Sequence, residues 1–204
     1  MTTLLEFDTQ RLRLRQWQAQ DSAPFAALNA DPKVMEFFPE PLGRAESDAM
    51  AKRCQSLIAA RGWGFWAVET KEARDFIGFV GLHVPHDKLP FSPCVEIGWR
   101  LGHPYWGKGY ATEAALAVLE VGFEQLILPE IVSFAVVANA RSRAVMERIG
   151  MREEVEIFDH PRIPEGHALR QHCLYRLSRA QGLEQSLTTT AQNTYTVSAA
   201  PHRV

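Results

Sequence analysis

The sequence predicts an α/β domain whose mixed, largely antiparallel sheet is wrapped by helices, and three observations lead there. The coarse order of elements reads strand, helices, strands, helix, strand, helix, strands. Residues 63–69 and 75–84 are strand-like runs joined by the polar turn 70–74, which reads as an antiparallel pair. Residues 94–115, CVEIGWRLGHPYWGKGYATEAA, carry an alternating strand through a short turn into a glycine-rich loop that opens a helix.

In chain order, residues 11–17 form the first strand, with Leu12 and Leu14 alternating with Arg11, Arg13 and Arg15 as on a strand with one wet face. Asp21 is placed to cap a helix running to Asn29. Residues 31–43 are a proline-broken connector, and a second helix follows from Arg44 with Met50, Cys54, Leu57, Ile58 and Arg61 on one stripe. After the antiparallel pair comes a strand over 95–101. The helix beyond the glycine loop shows Ala111, Ala114, Ala115, Val118, Leu119, Gly122, Phe123 and Leu126 at the spacing of one buried face. Residues 130–138 read as a buried strand. Asn139 then caps a short helix ending at Gly150. Strands over 153–159 and 171–177 flank a loop containing Pro161 and Gly166, and residues 179–204 have few core-forming side chains and no steady period, the pattern of a tail.

Composition sets limits. A chain of 204 residues, 46% hydrophobic, suits one domain, here residues 1–178. The net charge of −2 and the absence of an extended Lys/Arg patch argue against a nucleic-acid partner. Three scattered cysteines, Cys54, Cys94 and Cys173, read as reduced thiols of a cytoplasmic protein. No basic region followed by an apolar run marks a secretion signal, and no apolar run approaches the ~20 residues that span a bilayer, so no membrane partner is expected.

The glycine loop is suited to a pyrophosphate. Gly107 and Gly109 lack the Cβ that would hold a phosphate away, and the N–H groups of a helix's first turn point at the anion. A Walker-type loop fails here, because Lys108 lies between the glycines and Tyr110 follows the second. A dinucleotide fingerprint would want glycine at Thr112 and an early βαβ unit. Trp106-Gly107-Lys108-Gly109-Tyr110-Ala111 fits the GNAT N-acetyltransferase loop, [QR]-x-x-G-x-[GA], except at its first position. The following strand and Asn139-Ala-Arg-Ser142 helix complete the order of that superfamily. The chain resembles in particular the branch of ribosomal-protein N-terminal acetyltransferases, in which YWGKGYATEA, the Asn139 to Met151 segment and the opening TQRLRLR recur. The likeness spans roughly residues 6–178.

This resemblance implies the GNAT acyl-CoA N-acyltransferase fold and transfer of an acetyl group from acetyl-CoA to the primary amine of a peptide N-terminus or small amine. It implies that Trp106, Gly107, Lys108, Gly109, Tyr110, Ala111 and Thr112 hold the pyrophosphate, that backbone groups of Trp99, Arg100 and Leu101 border the pantetheine arm, and that Asn139 bonds that arm while Ser142 reaches the thioester sulfur. The amine must lose a proton, the oxyanion must be stabilised and the thiolate protonated. A thiolate, whose acid has a pKa near ~8.5, leaves readily, whereas a lysine-like ammonium at ~10.4 makes deprotonation the demanding step. Glu96, on the strand feeding the loop, is the candidate base; the competing reading is a glutamate that orders the sheet or binds an arginine. Asn139 and Ser142 are also ordinary first-turn residues. Many superfamily members carry a tyrosine acid where this chain has Met146, so Ser142, a water or another tyrosine protonates the thiolate, or no acid is needed.

His160, His167 and His172 cluster near the last hairpin, which brings His160 and His172 together across its strands as acceptor-pocket candidates. No metal site is expected, since no ligand set has fixed spacing. The resemblance implies that the first helices and the last hairpin wall the acceptor side, which here means Phe37, Phe38, Pro39 and Glu40 together with residues 159–170. Glu36, Glu40, Glu46 and Asp48 suit either a cationic amine or a solvated helix face. The rival class is a CoA-binding or sensing module without turnover, a third is a structural partner with an empty fold, and the expected assembly is a monomer or homodimer.

Overall fold

The computed structural model describes residues 4–189. Leu12 and Leu14 are fully buried where β2 (Leu12–Arg15) pairs antiparallel with β1 (Phe7–Asp8) and β3 (Phe65–Thr70). β2 is shorter than the expected 11–17 because the chain leaves the sheet after Arg15. The Gln16 amide donates to Glu6, and the Trp17 indole enters the core, donating to the Phe65 carbonyl at 2.7 Å. The arginine row is not uniformly wet either. Arg15 is 2% exposed, and its guanidinium reaches Asp21 at 2.7 and 2.9 Å and Glu69 at 2.9 Å. Asp21 therefore makes no side-chain cap to α1 (Ser22–Ala30), because Arg15 and the Gln18 amide take its oxygens.

Beyond the turns of the connector, α2 (Arg44–Arg61) buries Ser47, Ala51, Cys54 and Ile58. It starts where the Gly43 amide donates to Glu46, and it ends at Gly62 in a left-handed cap. β4 (Phe76–His83) pairs with β3 and with β5 (Glu96–Leu101), both antiparallel. After α3 (Tyr110–Glu120) the buried stripe continues as expected, but residues Val121–Gln125 relax into a π turn in which the Leu126 amide bonds the Val121 carbonyl. β6 (Glu130–Val136) lies parallel to β5, and α4 (Ala140–Arg148) follows.

The last hairpin departs from expectation. In place of one strand over 153–159 there are β7 (Arg152–Glu153) and β8 (Phe158–Asp159), both pairing with β9 (Gln171–Ser178). Val155, between them, is 98% exposed, so no burial holds this stretch in the sheet. The expected tail likewise starts as a helix, α5 (Arg179–Thr189), with Leu183 packed on the core; residues 190–204 of that tail lie outside the described residues. The sheet runs β1-β2-β3-β4-β5-β6-β9-β7, with β8 also on β9, and is antiparallel except at β5–β6. Contacts of Phe25 with Phe76 and Phe79 set α1 on one face, and the packing of the Gly122 turn on Leu82 and Ile131 sets α3 on the other. None of the helices among the described residues is long and apolar enough to cross a membrane.

Candidate active site

The single parallel contact is where the sheet opens. β5 and β6 register at Glu96 and Val132, and the Val132 amide bonds the Val95 carbonyl at 2.9 Å. Past that point the Ser133 hydroxyl, not a backbone group, reaches the Ile97 carbonyl at 2.9 Å. From Gly98 onward β5 is paired on its β4 side alone. The divergence leaves a slot on the β6 side of Trp99, Arg100 and Leu101, the residues that the family resemblance implies border the pantetheine arm. The Leu101 carbonyl is also held by the Trp106 indole at 2.7 Å.

At the end of the slot, Gly107 and Gly109 have φ of +72° and +79°, the left-handed region that excludes most side chains. Open space surrounds the position of a Gly107 Cβ, and a Gly109 Cβ would sit 3.4 Å from the Arg11 guanidinium. Gly109 is the cap of α3, and the N–H groups of Tyr110, Ala111 and Thr112 have no acceptor among the described residues. Open space over unspent donors at a helix N-terminus makes a cradle that can accept an anion. A brace unnoticed in the sequence stiffens it. Glu113, in the first turn, accepts from the Thr9 hydroxyl (2.6 Å), the Arg11 amide (2.8 Å) and the Arg11 guanidinium (2.6 Å). Arg11 also bonds the Lys108 carbonyl at 2.9 Å and lies 4.6 Å over the Tyr110 ring. The Lys108 ammonium points to the Tyr105 ring, 5.6 Å away.

Beside the cradle, the Asn139 side chain caps α4 by accepting from the Ser142 amide at 3.1 Å. Its oxygen is thereby used, its side-chain N–H groups have no partner among the described residues, and Ser142 is partly buried. Met146 is buried. The Tyr175 hydroxyl donates to Glu147 and accepts from Arg143; burial first, and then Glu153, push it up to about 12 against the lowering effect of Arg143. Arg141 pairs with Glu36 and stacks on Trp106 (4.8 Å) and Phe37 (5.4 Å), fastening the connector to the loop.

Register places Glu96, Gly98 and Arg100 on the α1 face of β5, opposite His83, Gly81 and Phe79 of β4. The Glu96 carboxyl lies 3.6 Å from the position of a Gly98 Cβ, and the Phe65 ring 3.3 Å from it, so acid and ring sit side by side. No hydrogen bond or ion pair holds Glu96 among the described residues, and burial pushes its carboxyl up to about 8. His83, stacked on Phe65 at 5.2 Å, is pushed down to about 4, first by burial and then by His86 and nearby arginines.

The expected histidine pair forms: the His160 and His172 rings are 4.9 Å apart, next to Phe158 and Phe134. Register puts Val136, opposite His172, and Phe134 on the same side of β6 as Val132, which pairs with Glu96, so this aromatic cluster shares the Glu96 face. Both histidines are lowered by burial, and His160 further by His172. His167 is used locally, its Nδ1 accepting from the Leu169 amide. Of the acidic candidates, Glu36 pairs with Arg141, Asp48 with Arg44 and Glu46 with the Gly43 amide, the solvated-face reading. Among the described residues no group of three His, Cys, Asp or Glu side chains is arranged to hold a metal. Phe65, Phe79 and the Arg100 side chain were missed. Arg100 was legible as the residue two alternations beyond Glu96 on the same strand face.

Comparison with known proteins identifies the family and fold. The family model described as an acetyltransferase (GNAT) domain matches residues 11–152. An uncharacterised N-acetyltransferase of Bacillus subtilis, YnaD, is 30% identical over 151 residues, 74% of this chain and 84% of its own. The crystal structure of a GNAT-family acetyltransferase from Bacillus anthracis superposes with a TM-score of 0.72 at 25% identity, covering 86% of this chain and 99% of that one. A spermidine N-acetyltransferase from Vibrio cholerae, solved with CoA and spermine, shares the fold at 21% identity and a TM-score of 0.66, over 84% of this chain and 98% of that one.

Proposed function

The chain belongs to the GNAT acetyltransferase family and is an acetyl-CoA-dependent N-acetyltransferase, and from that premise we propose that it acetylates the primary amine of a peptide N-terminus or small amine in the cytoplasm, with Glu96 as general base. The observation that carries this reading is the unpartnered Glu96 carboxyl on the opened strand, its pKa raised to about 8. A carboxyl that merely ordered the sheet or bound an arginine would have a partner.

The cradle and slot fit the co-substrate. The backbone of Gly107 to Thr112 would hold the pyrophosphate, β5 backbone groups and the Asn139 amide would border the pantetheine arm, and acetyl-CoA supplies an activated thioester. The chain's own residues do the rest. Glu96 takes a proton from the amine, directly or through a water. The Phe65 ring beside the carboxyl keeps the base poorly hydrated, which holds its pKa high. Ser142, at the first turn of α4, or a water it holds, returns a proton to the thiolate, since Met146 has none to give. Phe37, Phe38, His160 and His172 line the acceptor side.

The test is thiol release from acetyl-CoA across a panel of peptide and small amines, run beside calorimetric CoA binding. Turnover that Glu96→Gln lowers by ~10²–10⁴ with CoA affinity kept is expected. CoA binding without thiol release for any amine would favour the sensing module.

A further inference from the structure

Arg100 departs from the way this chain treats four of its other arginines. Arg15 has Asp21 and Glu69, Arg143 has Glu153, Arg170 has Asp159, and Arg176 has Glu130 and Glu154. The Arg100 guanidinium has no carboxylate among the described residues. One Nη donates to Asn29 at 2.7 Å, a second contact is the Met50 sulfur at 4.0 Å, and Nε is buried with no partner. Burial lowers it to about 10, opposed only by Cys54. Tethering α1 through Asn29, which in turn bonds Ser47, accounts for one N–H and leaves the charge unanswered. Arg61, at the end of α2, shows the same shortage. It stacks on Trp63 at 3.8 Å, and its buried Nη2 lacks a partner. The wall formed by α2 and β5 thus holds two half-buried cations, each with a buried nitrogen left unpaired and neither in an ion pair among the described residues; Asp48 of α2, paired with Arg44, keeps its other oxygen buried without a partner.

The position gives this shortage its meaning. Arg100 stands four residues from Glu96 on the same face of β5, with the Phe65 and Phe79 rings between them and the exposed Phe38 ring 4.1 Å over the guanidinium. Four strand residues span ~13 Å, and a hydrogen bond of ~3 Å at either end leaves on the order of 10 Å for the acceptor itself. Resting on the reading that Glu96 marks the amine, we infer that Arg100 is a specificity-determining residue that pairs with a carboxylate of the acceptor. The acceptor class is then an amine that carries a carboxylate on the order of 10 Å away, such as a short peptide or an ω-amino acid. The planar fork of a guanidinium matches a carboxylate, and such charge-assisted bonds are roughly twice as strong as neutral ones. A polyamine meets two like charges on this wall.

The experiment compares ε-aminocaproate, its primary amide and hexane diamine by calorimetry against the CoA-loaded protein, with thiol release from acetyl-CoA measured separately. The acid should bind ~10–100-fold more tightly than the amide, and the diamine least tightly. Arg100→Met should bring the acid-to-amide ratio near one, and Arg100→Lys should restore part of it. Equal binding of acid and amide by the wild type, or a preference that survives Arg100→Met, overturns the inference. The wild-type comparison decides alone if the variant fails to fold. Thiol release from no amine, with the acid preference intact, sinks the transfer reading and leaves the role of Arg100 standing; turnover without acid preference does the reverse.

Discussion

Glu96→Gln removes the one acid on the α1 face of β5 while keeping its shape, and its consequence can be worked out from the protonation state. A base at the ordinary ~4.3 facing a lysine-like ammonium at ~10.4 would take its proton uphill by ~6 pKa units, about 8 kcal/mol. With Glu96 at about 8, the gap falls to ~2.4 units, about 3 kcal/mol, and for a peptide α-amine of ~7.7–8.0 it closes. The elevated value costs population. At pH 7 roughly one molecule in ten is ionised, and at pH 9 roughly nine in ten. The assay is kcat/KM by thiol release over that range for wild type and variant. Deprotonation of the free amine contributes equally to both profiles, so the ratio of the two isolates Glu96. That ratio should climb roughly tenfold between pH 7 and pH 9 and level at ~10²–10⁴. Stability supplies a second reading. A carboxyl raised on folding stabilises the protein below its unfolded pKa, and that contribution is lost as pH rises through the folded value. Glu96→Gln should therefore gain on the wild type in melting temperature from about pH 4 up to about pH 8 and hold the gain above. A ratio flat in pH refutes the assignment, and the base is then sought at His160 or His172.

Gly109→Val forces a side chain into φ of +79° beside Arg11 and the cradle, so acetyl-CoA affinity by calorimetry should fall severely in a folded variant; unchanged affinity would remove the pyrophosphate from this loop. Ser142→Ala should lower kcat only ~10-fold at saturating acetyl-CoA, because the thiolate leaves readily, and Met146→Tyr should gain little. Loss of all activity in Ser142→Ala with a silent Glu96→Gln would mean that departure of CoA limits the rate. Arg15→Met strands Asp21 and Glu69, with side chains 1% and 10% exposed, and should cost about 3–5 kcal/mol in urea unfolding; a cost under about 1 kcal/mol would show that the pair is not what holds β2 to the α1 entry.

Much of this fold was legible because burial imposes a period. The alternation through 95–101 and the helical stripe through 111–126 both survive in the structure, and Asn139 caps α4 as its residue type suggests. The failures share a cause, which is that the deciding partner lies far away in sequence. Two-residue β1 is too short to have a period. Arg15 looks like a wet alternate residue until Asp21 and Glu69 meet it. α5 shows few apolar side chains because the little it buries, Gly182 against Phe123 and Leu183 against the core, needs little. Periodicity also cannot announce a π turn, since Phe123 stays buried whether the ladder there is α or π.

The opening strand and the glycine loop, a hundred residues apart, turn out to be one device. Thr9 and Arg11 lie at the turn entering β2, an edge-side element with no chemistry of its own, yet three of their donors converge on Glu113 in the first turn of α3. A loop with two residues at positive φ and open space above it gains little rigidity from its own contacts. A carboxylate in a helix's first turn is already favoured by the helix dipole, and three donors fix its orientation. The arginine's second bond, to the Lys108 carbonyl, then pins the segment between the glycines. The arginine that reads as surface decoration in the sequence is thus what lets glycines, chosen for close approach, hold one conformation without filling the cradle. Preorganisation of that kind lowers the ordering cost of binding, and here it is supplied from outside the loop because a side chain at Gly107 would enter the open space itself.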